Sequence, residues 1–268
     1  MPYSNYYKKS NLFHGSMLNI MGTRLDAVMI GDESQLTEVW EHIIAETERL
    51  HRMLNRFDPT SDISLINSQA AKHPVELNDE LWSILTDIQK YHKQTCGFFD
   101  VSLRDFSKVI LDCERRTAAF AEGNISLDLG GYGKGYAMAQ VQKILLQNGV
   151  TQALVNFGNS SVLAVGAHPH GEYWSIGIEN PFQPGQQLQT CQLYNQSLSV
   201  SGNTPQHAQH IFNPLDGKYS AERKIVSVVS NDAVEAEVLS TALMVANEKI
   251  KKKIKNLFGN VKINIFVA

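Results

Sequence analysis

Residues 125–141, ISLDLGGYGKGYAMAQV, connect a short apolar run to a predicted helix through a loop with four glycines and one lysine. Glycines between a strand and a helix let backbone N–H groups approach an anion, and a helix N-terminus adds a partial positive charge. The spacing is not that of a P-loop, because Gly135 follows Lys134 where Ser or Thr is needed, and it is not G-x-G-x-x-G. Taken alone, the stretch predicts a tight turn with a surface lysine.

Two amphipathic helices are predicted before this loop. Apolar side chains recur at helical spacing over 34–53 and again over 79–95. Ser34 and Asn78 are the candidate N-caps of these helices. Between them, residues 55–69 (NRFDPTSDISLINSQ) are predicted to form a polar loop.

The rest of the chain predicts short strands and two further helices. Residues 17–30 partly alternate, which indicates one strand or two strands with a bend at Gly22, and 125–130 indicate another short strand. Helices are expected over 133–148 and 232–247, and a strand, VKINIFVA, closes the sequence. The order of elements predicts an α+β fold of mostly antiparallel sheets with packed helices, and not a regular βαβ series.

Composition sets limits on the class of protein. The chain has 268 residues, 43% of them hydrophobic and 19% charged, with a net charge of −3, so a nucleic-acid partner is not expected. No apolar run approaches the roughly 20 residues needed to span a bilayer. No repeat or linker is evident, and one domain over 1–268 is predicted. The sequence does not predict an oligomeric state.

The cysteines and the N-terminal residues favour a cytoplasmic location. Cys96, Cys113 and Cys191 form neither a metal spacing nor an even set, as expected of reduced thiols. The first residues, MPYSNYYKKSNLFHGSML, lack a long apolar segment and a cysteine for lipid attachment. We therefore expect a cytoplasmic protein, or an exported one if a leader has been removed.

Short polar or glycine-bearing motifs follow one another along most of the chain. They are MGT at 21–23, SDISLIN at 61–67, GFFDVS at 97–102, DLGGYGKGYA at 128–137, VNFGN at 155–159, SGN at 201–203, HIFNPLDG at 210–217 and AEVLSTA at 236–242. Their order and spacing resemble the ApbE family of FAD:protein FMN transferases. Each motif alone is weak evidence, and it is their collinear order that identifies the chain as a divergent member.

The resemblance implies a fold, a reaction and two cofactors. The expected fold is ApbE-like, with an FAD cleft between its two halves. Members of the family bind FAD and Mg²⁺ and transfer FMN through a phosphoester to a threonine of an acceptor flavoprotein, releasing AMP. Such a reaction depends mostly on positioning and on neutralisation of phosphate charge.

The resemblance also implies which residues bind FAD. Met21 and Phe57 would lie against the isoalloxazine ring, with Phe57 in place of the usual tyrosine, and Asp100 would lie near the adenosine half. Lys134 and the glycine backbone would face the pyrophosphate. The full expected set is Met21, Gly22, Thr23, Phe57, Asp100, Ser102, Asp128, Gly130, Gly131, Lys134, Ser201, Gly202 and His210.

Catalysis and metal binding are assigned in the same way. Lys134 and His210 are the candidate catalytic residues, because an imidazole can accept a proton at neutral pH. Alone, His210 would more often be a structural histidine. Mg²⁺ is expected at the carbonyl of Gly133 and the side chains of Glu237 and Thr241, the last two sharing a helix face.

The chain departs from the family pattern at several positions. Glu237 replaces the usual metal-binding aspartate and carries its carboxylate one methylene further out. Asp216 replaces a threonine, Asn203 replaces the aspartate of S-G-D, and Asn159 replaces a glycine. Three functions therefore stay open: an active transferase, a paralogue that hydrolyses FAD to FMN and AMP, and a protein that only binds flavin.

Overall fold

The computed structural model describes residues 2–205 and 211–267. In these residues the helices are α1 (Glu33–Leu54), α2 (Asp62–Gln69), α3 (Asp79–Gln94), α4 (Gly133–Gln147), α5 (Ala233–Val245) and α6 (Glu248–Leu257). The strands are β1 (Tyr3–Tyr7), β2 (Leu12–Ile20), β3 (Thr23–Ile30), β4 (Val75–Glu76), β5 (Val109–Asp112), β6 (Thr117–Phe120), β7 (Ala153–Phe157), β8 (Ser161–Val165), β9 (Trp174–Glu179), β10 (Gln187–Leu193), β11 (Gln196–Gly202), β12 (Phe212–Asn213), β13 (Lys218–Tyr219), β14 (Lys224–Ser230) and β15 (Lys262–Val267).

An antiparallel sheet organises the fold. Its strand order is β1-β2-β3-β7-β8-β11-β14-β15, and every neighbouring pair runs antiparallel. Strands β7, β8 and β14 are apolar and mostly buried, as expected when both faces of a sheet are covered. The α+β class predicted from the sequence is confirmed.

Three helices form a layer on one face of the sheet. Helix α1 packs on β2 and on α4, and α5 packs on α4, β11 and β14. The apolar stripe predicted over 34–53 is buried in this layer. The N-cap of α1 is Asp32, so the prediction of Ser34 was wrong: the Asp32 carboxylate accepts from the backbone N–H groups of Ser34 and Gln35. Asn78 caps α3 as predicted.

Helices α4 and α5 approach each other closely at Gly135. A Cβ at this position would lie 2.8 Å from the carbonyl oxygen of Ala233, 2.9 Å from Cβ of Glu237 and 3.0 Å from Cα of Val234. Only glycine permits this backbone separation. The contact fixes the start of α4 against the first turns of α5, where Lys134 and Glu237 lie.

The opposite face of the sheet carries the hairpin β9–β10. Trp174, Ile178 and Leu193 of the hairpin form a second apolar cluster with Val162 and Leu198 of the sheet. Hydrophobic burial on both faces therefore holds the sheet in a three-layer arrangement of helices, sheet and hairpin.

Two predicted elements were wrong because side-chain hydrogen bonds decide the backbone there. Within the predicted loop 55–69, the hydroxyl of Ser61 accepts from the N–H of Ser64 and starts α2. The predicted strand at 125–130 is not a strand, because the side chain of Asn67 makes hydrogen bonds to both backbone groups of Leu127. An amide side chain thus replaces the strand partner.

The predicted helix 232–247 is also shorter than expected. Helix α5 ends at Val245, and Asn247 then accepts from the N–H of Ile250 and starts α6. In the described ranges, no helix combines the length and the apolar character required to cross a membrane.

Candidate functional site

A cleft of about 990 Å³ opens where the ends of β7, β8 and β11 meet the start of α4. One wall comes from the helix layer and the other from the hairpin β9–β10. It is lined by Phe99, Asp100, Val101, Leu103, Asp128, Gly130, Gly131, Lys134, Asn156, Gly158, Asn159, Ser160, Val162, Ile176, Gly177, Ile178, Glu179, Pro181, Leu198, Val200, Ser201, Gly202, Thr204, Ile211, Phe212, Ile225, Glu237 and Thr241. The cleft is therefore polar at the helix wall and apolar at the hairpin wall.

Glu237 carries a buried carboxylate at the bottom of the cleft. Its side chain is 5% exposed, and the ammonium group of Lys134 donates to its Oε1. The hydroxyls of Ser161 and Ser199 donate to Oε2 over 2.7 and 2.9 Å. Because a buried charge is costly unless it is paired and hydrogen-bonded, these partners make the carboxylate tolerable there.

A cluster of serine hydroxyls surrounds Glu237. The hydroxyl of Ser240 lies 3.0 Å from that of Ser199 and 2.8 Å from that of Ser201. It also donates to the backbone carbonyl of Glu237. Sequence reasoning did not identify Ser161, Ser199 or Ser240 as site residues, although the alternating serines of SLSVSG in β11 were a signal of one polar strand face.

The first turn of α4 faces the cleft, which Lys134 lines. Among the described residues, no side chain caps this helix, so its terminus keeps donor capacity and a partial positive charge for an anion. The N–H of Gly133 donates to the carbonyl of Leu129. Gly131 lies beside Thr241: a Cβ on Gly131 would be 3.4 Å from the threonine hydroxyl oxygen.

Asp128 shapes the glycine loop. One of its oxygens accepts from the N–H of Gly130 at 2.9 Å, and the other lies 2.8 Å from the guanidinium of Arg56. Tyr132 anchors the loop from behind, since its buried hydroxyl donates to Asp87. Burial raises the pKa of both Asp87 and Tyr132.

Asp100 and Ser102 hold the loop that follows Phe99. The side chain of Asp100 is 2% exposed and accepts from the N–H and hydroxyl of Ser102 and from the N–H of Phe106. Ser102 is fully buried and is not in the cleft lining, whereas Asp100 borders the cleft. The geometry therefore gives both residues a loop-closing contact.

His92, Asp100 and Asp105 lie close enough to suggest a metal site. Each has a structural partner: His92 Nδ1 is 3.0 Å from the carbonyl oxygen of Phe99, and Asp105 caps the turn at Ser107. The hydrogen bond from Ser107 lowers the pKa of Asp105. These contacts account for the cluster without a metal.

Met21 and Gly22 form the tight turn between β2 and β3. Ile20 pairs with Thr23, and the two residues between them have φ of +46° and +74°. A two-residue turn with both φ positive is a type I′ turn, and methionine is a strained choice for it. Met21 and Gly22 are outside the cleft lining, but Thr23 contacts the cleft residue Gly158, where a Cβ would be 2.7 Å from the Thr23 hydroxyl oxygen.

Phe57 lies on the protein surface. Its side chain is 78% exposed, and the guanidinium of Arg56 is 4.4 Å from its ring centroid. Arg56 also pairs with Asp128. Phe57 is therefore adjacent to the glycine loop but does not line the cleft.

Two of the remaining predicted residues lie at the end of β11. Ser201 and Gly202 both line the cleft, and a Cβ on Gly202 would be 2.2 Å from Cδ1 of Ile225. His210 lies outside the described residues. Thr204 and Ile211, on either side of the segment that contains it, line the cleft.

A cleft with an uncapped helix N-terminus, a lysine and a buried carboxylate defines a candidate phosphate-binding site of the kind that holds a nucleotide. The model of the ApbE family matches residues 21–110 and 102–264. The chain belongs to the ApbE family.

Similar proteins agree with this assignment. An FAD:protein FMN transferase of Klebsiella pneumoniae is 23% identical over 262 residues, which cover 81% of this chain and 80% of that protein. One of Chlamydia muridarum is 24% identical over 256 residues, with 81% and 76% covered.

The solved structures confirm the predicted ApbE-like fold. The ApbE protein of Thermotoga maritima superposes with a TM-score of 0.83 at 19% identity, covering 100% of this chain and 94% of that one. The flavin transferase ApbE of Vibrio cholerae gives a TM-score of 0.84 at 17% identity, covering 99% and 94%.

Proposed function

We propose that the chain is an FAD:protein FMN transferase that requires Mg²⁺ and attaches FMN through a phosphoester to a threonine of an acceptor flavoprotein. Family membership and the names of the curated relatives support flavin transfer. The observation that carries the proposal is the meeting of Lys134 and Glu237 at the start of α4. One cleft thereby offers a cation for phosphate and a carboxylate for a metal.

The donors at this point fit Mg²⁺. Glu237 offers a carboxylate oxygen and Thr241, one turn further along α5, offers a hydroxyl on the same helix face. The carbonyl of Gly133 is the third proposed ligand. A set of few protein oxygens suits an ion that keeps waters and binds substrate phosphates.

The reaction joins the threonine oxygen to the FMN phosphorus and breaks the pyrophosphate P–O bond, so that AMP leaves. In this proposal Lys134 and the N-terminus of α4 hold the pyrophosphate and balance its negative charge. His210 accepts the proton of the attacking hydroxyl. Bound Mg²⁺ supplies Lewis-acid polarisation of the phosphate oxygens.

FAD requires a site that is apolar for its rings and polar for its phosphates. The hairpin wall, with Ile176 and Ile178, and Leu198 of the sheet supply the apolar surface, and the helix wall supplies the polar one. We propose that an aromatic ring of FAD packs on the hairpin wall. Met21 and Phe57, which lie outside the cleft lining, are proposed to contact the isoalloxazine ring where it extends beyond the cleft.

The test is covalent labelling of an acceptor. Purified protein is incubated with FAD, Mg²⁺ and an acceptor domain that carries the family's threonine motif, and flavin is detected as in-gel fluorescence and by mass spectrometry. The threonine-to-alanine acceptor is the matched control. We expect labelling that EDTA abolishes.

Three results contradict the proposal. Unlabelled acceptor, when a control enzyme labels the same preparation, excludes transfer to that acceptor. Release of AMP from FAD at the same rate with and without acceptor, again with no labelling, indicates a hydrolase. FAD binding without either product indicates a binding protein.

A further inference from the structure

The two oxygens of the Glu237 carboxylate have different partners. Oε2 accepts from the hydroxyls of Ser161 on β8 and Ser199 on β11, at 2.7 and 2.9 Å. Oε1 accepts from the ammonium of Lys134. One oxygen is therefore held by the sheet, and the other is held by a side chain at the start of α4.

The partners of Oε2 are fixed. Ser161 and Ser199 are 4% and 2% exposed, and Ser199 is also within 3.0 Å of the fully buried Ser240 hydroxyl. Lys134, by contrast, reaches Oε1 with a long flexible side chain that is 19% exposed. A ligand that attracts an ammonium group can draw Lys134 away from Oε1, whereas the buried serine side chains stay fixed on their strands.

The extra methylene of glutamate explains this arrangement. Glu237 lies on α5, which packs on β11, so a longer side chain carries its carboxylate further from α5 toward the two serine hydroxyls. Hydrogen bonds that orient a ligating carboxylate tune metal affinity. The serines can therefore compensate for the substitution of glutamate for the family's aspartate.

We propose that Ser161 and Ser199 are positioning residues that fix Oε2 of Glu237 and so present Oε1 to a divalent cation, for which Lys134 is the exchangeable substitute. The proposal rests on the proposed function, because it takes the pyrophosphate of FAD as the group that draws Lys134 away. Metal and FAD then bind with positive coupling: FAD frees Oε1, and the metal occupies it.

The experiment measures metal binding directly. Mn²⁺ is titrated into the purified full chain, with and without FAD, and free Mn²⁺ is followed by electron paramagnetic resonance. Binding of Mn²⁺ is expected to be tighter with FAD than without it. AMP is measured by chromatography in the same samples, so that any turnover of FAD is known.

Ser161→Ala and Ser199→Ala test the positioning role. Each is expected to weaken Mn²⁺ binding about 10-fold to 100-fold in the presence of FAD, as outer-shell partners of metal ligands generally do. The matched control is Ser197→Ala. Ser197 is also a buried serine of β11, and its hydroxyl has no hydrogen-bond partner in the described part of the chain. Its removal should leave Mn²⁺ affinity unchanged.

Lys134→Gln tests the exchange. Without FAD, it is expected to strengthen Mn²⁺ binding roughly 10-fold or more, the low end of what a neighbouring charge does to the proton affinity of a carboxylate. It should also reduce the effect of FAD on Mn²⁺ affinity. A merely structural role of the lysine predicts neither change.

The proposal is overturned if both serine variants bind Mn²⁺ as the wild type does, or if Lys134→Gln leaves FAD-free binding unchanged or weaker. Thermal unfolding without metal shows whether a variant still folds. If Ser199→Ala does not fold, Ser199→Thr, which keeps the hydroxyl, is expected to bind Mn²⁺ as the wild type does. Failure of acceptor labelling with normal Mn²⁺ coupling contradicts the proposed function and leaves this inference standing.

Discussion

Replacing Gly135 by alanine should separate the two helices that carry the site. The new Cβ would lie 2.8 to 3.0 Å from the Ala233 carbonyl oxygen, the Glu237 Cβ and the Val234 Cα. Two of these are backbone atoms, which no side-chain rotation can move. Overpacking of this kind costs about 1–3 kcal/mol, and the better helix propensity of alanine returns about 1 kcal/mol. The net effect relative to the wild type is a destabilisation of roughly 0–2 kcal/mol.

Gly133→Ala is the control, because Gly133 is in the same first turn and a Cβ there meets only Leu54 at 3.7 Å. Both variants gain the helix propensity of alanine, so they differ only by the overpacking cost of about 1–3 kcal/mol. Thermal unfolding should therefore place Gly135→Ala about 2–12 °C below the control, given about 2–4 °C per kcal/mol for chains of this size. Binding of FAD should weaken in parallel, since Lys134 moves with α4. Equal melting temperatures for the two variants would refute the close-approach argument.

Three further predictions concern carboxylates that are buried or half-buried. Glu237→Asp should lower the free energy of unfolding by about 1–3 kcal/mol in denaturant titrations, because the shorter side chain leaves buried serine hydroxyls without their acceptor; unchanged stability would mean that the serines find other partners. Asp87→Asn keeps an acceptor for the Tyr132 hydroxyl. Burial raises the pKa of Asp87 in the wild type, so its ionisation lowers the free energy of unfolding as the pH rises above the unfolded-state pKa of about 3.9. The free energy of unfolding of the variant, relative to that of the wild type, should therefore increase from pH 3 to pH 7 in urea titrations. A constant difference across that range would contradict this. The carboxylate of Asp100 accepts from the N–H and hydroxyl of Ser102 and from the N–H of Phe106, and Asp100→Asn removes one of its two acceptor oxygens. The variant should lose about 1–3 kcal/mol of stability, and the loop should be cleaved faster by proteases. Wild-type proteolysis rates would argue against a loop-closing role.

The helices were predictable where a local signal decided them. Apolar spacing and Asn78 located α3, and the glycine-to-helix transition located α4 to within one residue at its end. Ser34 failed as an N-cap because Asp32, two residues earlier, offers a stronger local acceptor. The strand expected at 125–130 failed because its backbone partner is the side chain of Asn67, which is 60 residues away from Leu127 in the chain.

The site was predictable only in part, for the same reason. The shared helix face of Glu237 and Thr241 follows from their spacing of four residues. The contact between Lys134 and Glu237 joins residues that are 103 positions apart, and the serine contacts to Glu237 join β8, β11 and α5. Contacts of this range depend on the tertiary packing of α4 and α5, which a spacing argument does not contain.

The departures from the family pattern differ in their structural consequences. Asn203 donates to the carbonyls of Ser220 and Glu222, two hydrogen bonds that an ionised aspartate could not make. Asp216 accepts from the N–H of Lys218 within a turn. Both substitutions thus serve the backbone around them, and neither removes a donor from the buried contacts of Glu237. Glu237 is the departure that reaches the proposed metal site. Serine hydroxyls on β8 and β11 donate to its carboxylate, and in our proposal these hydrogen bonds compensate for the longer side chain.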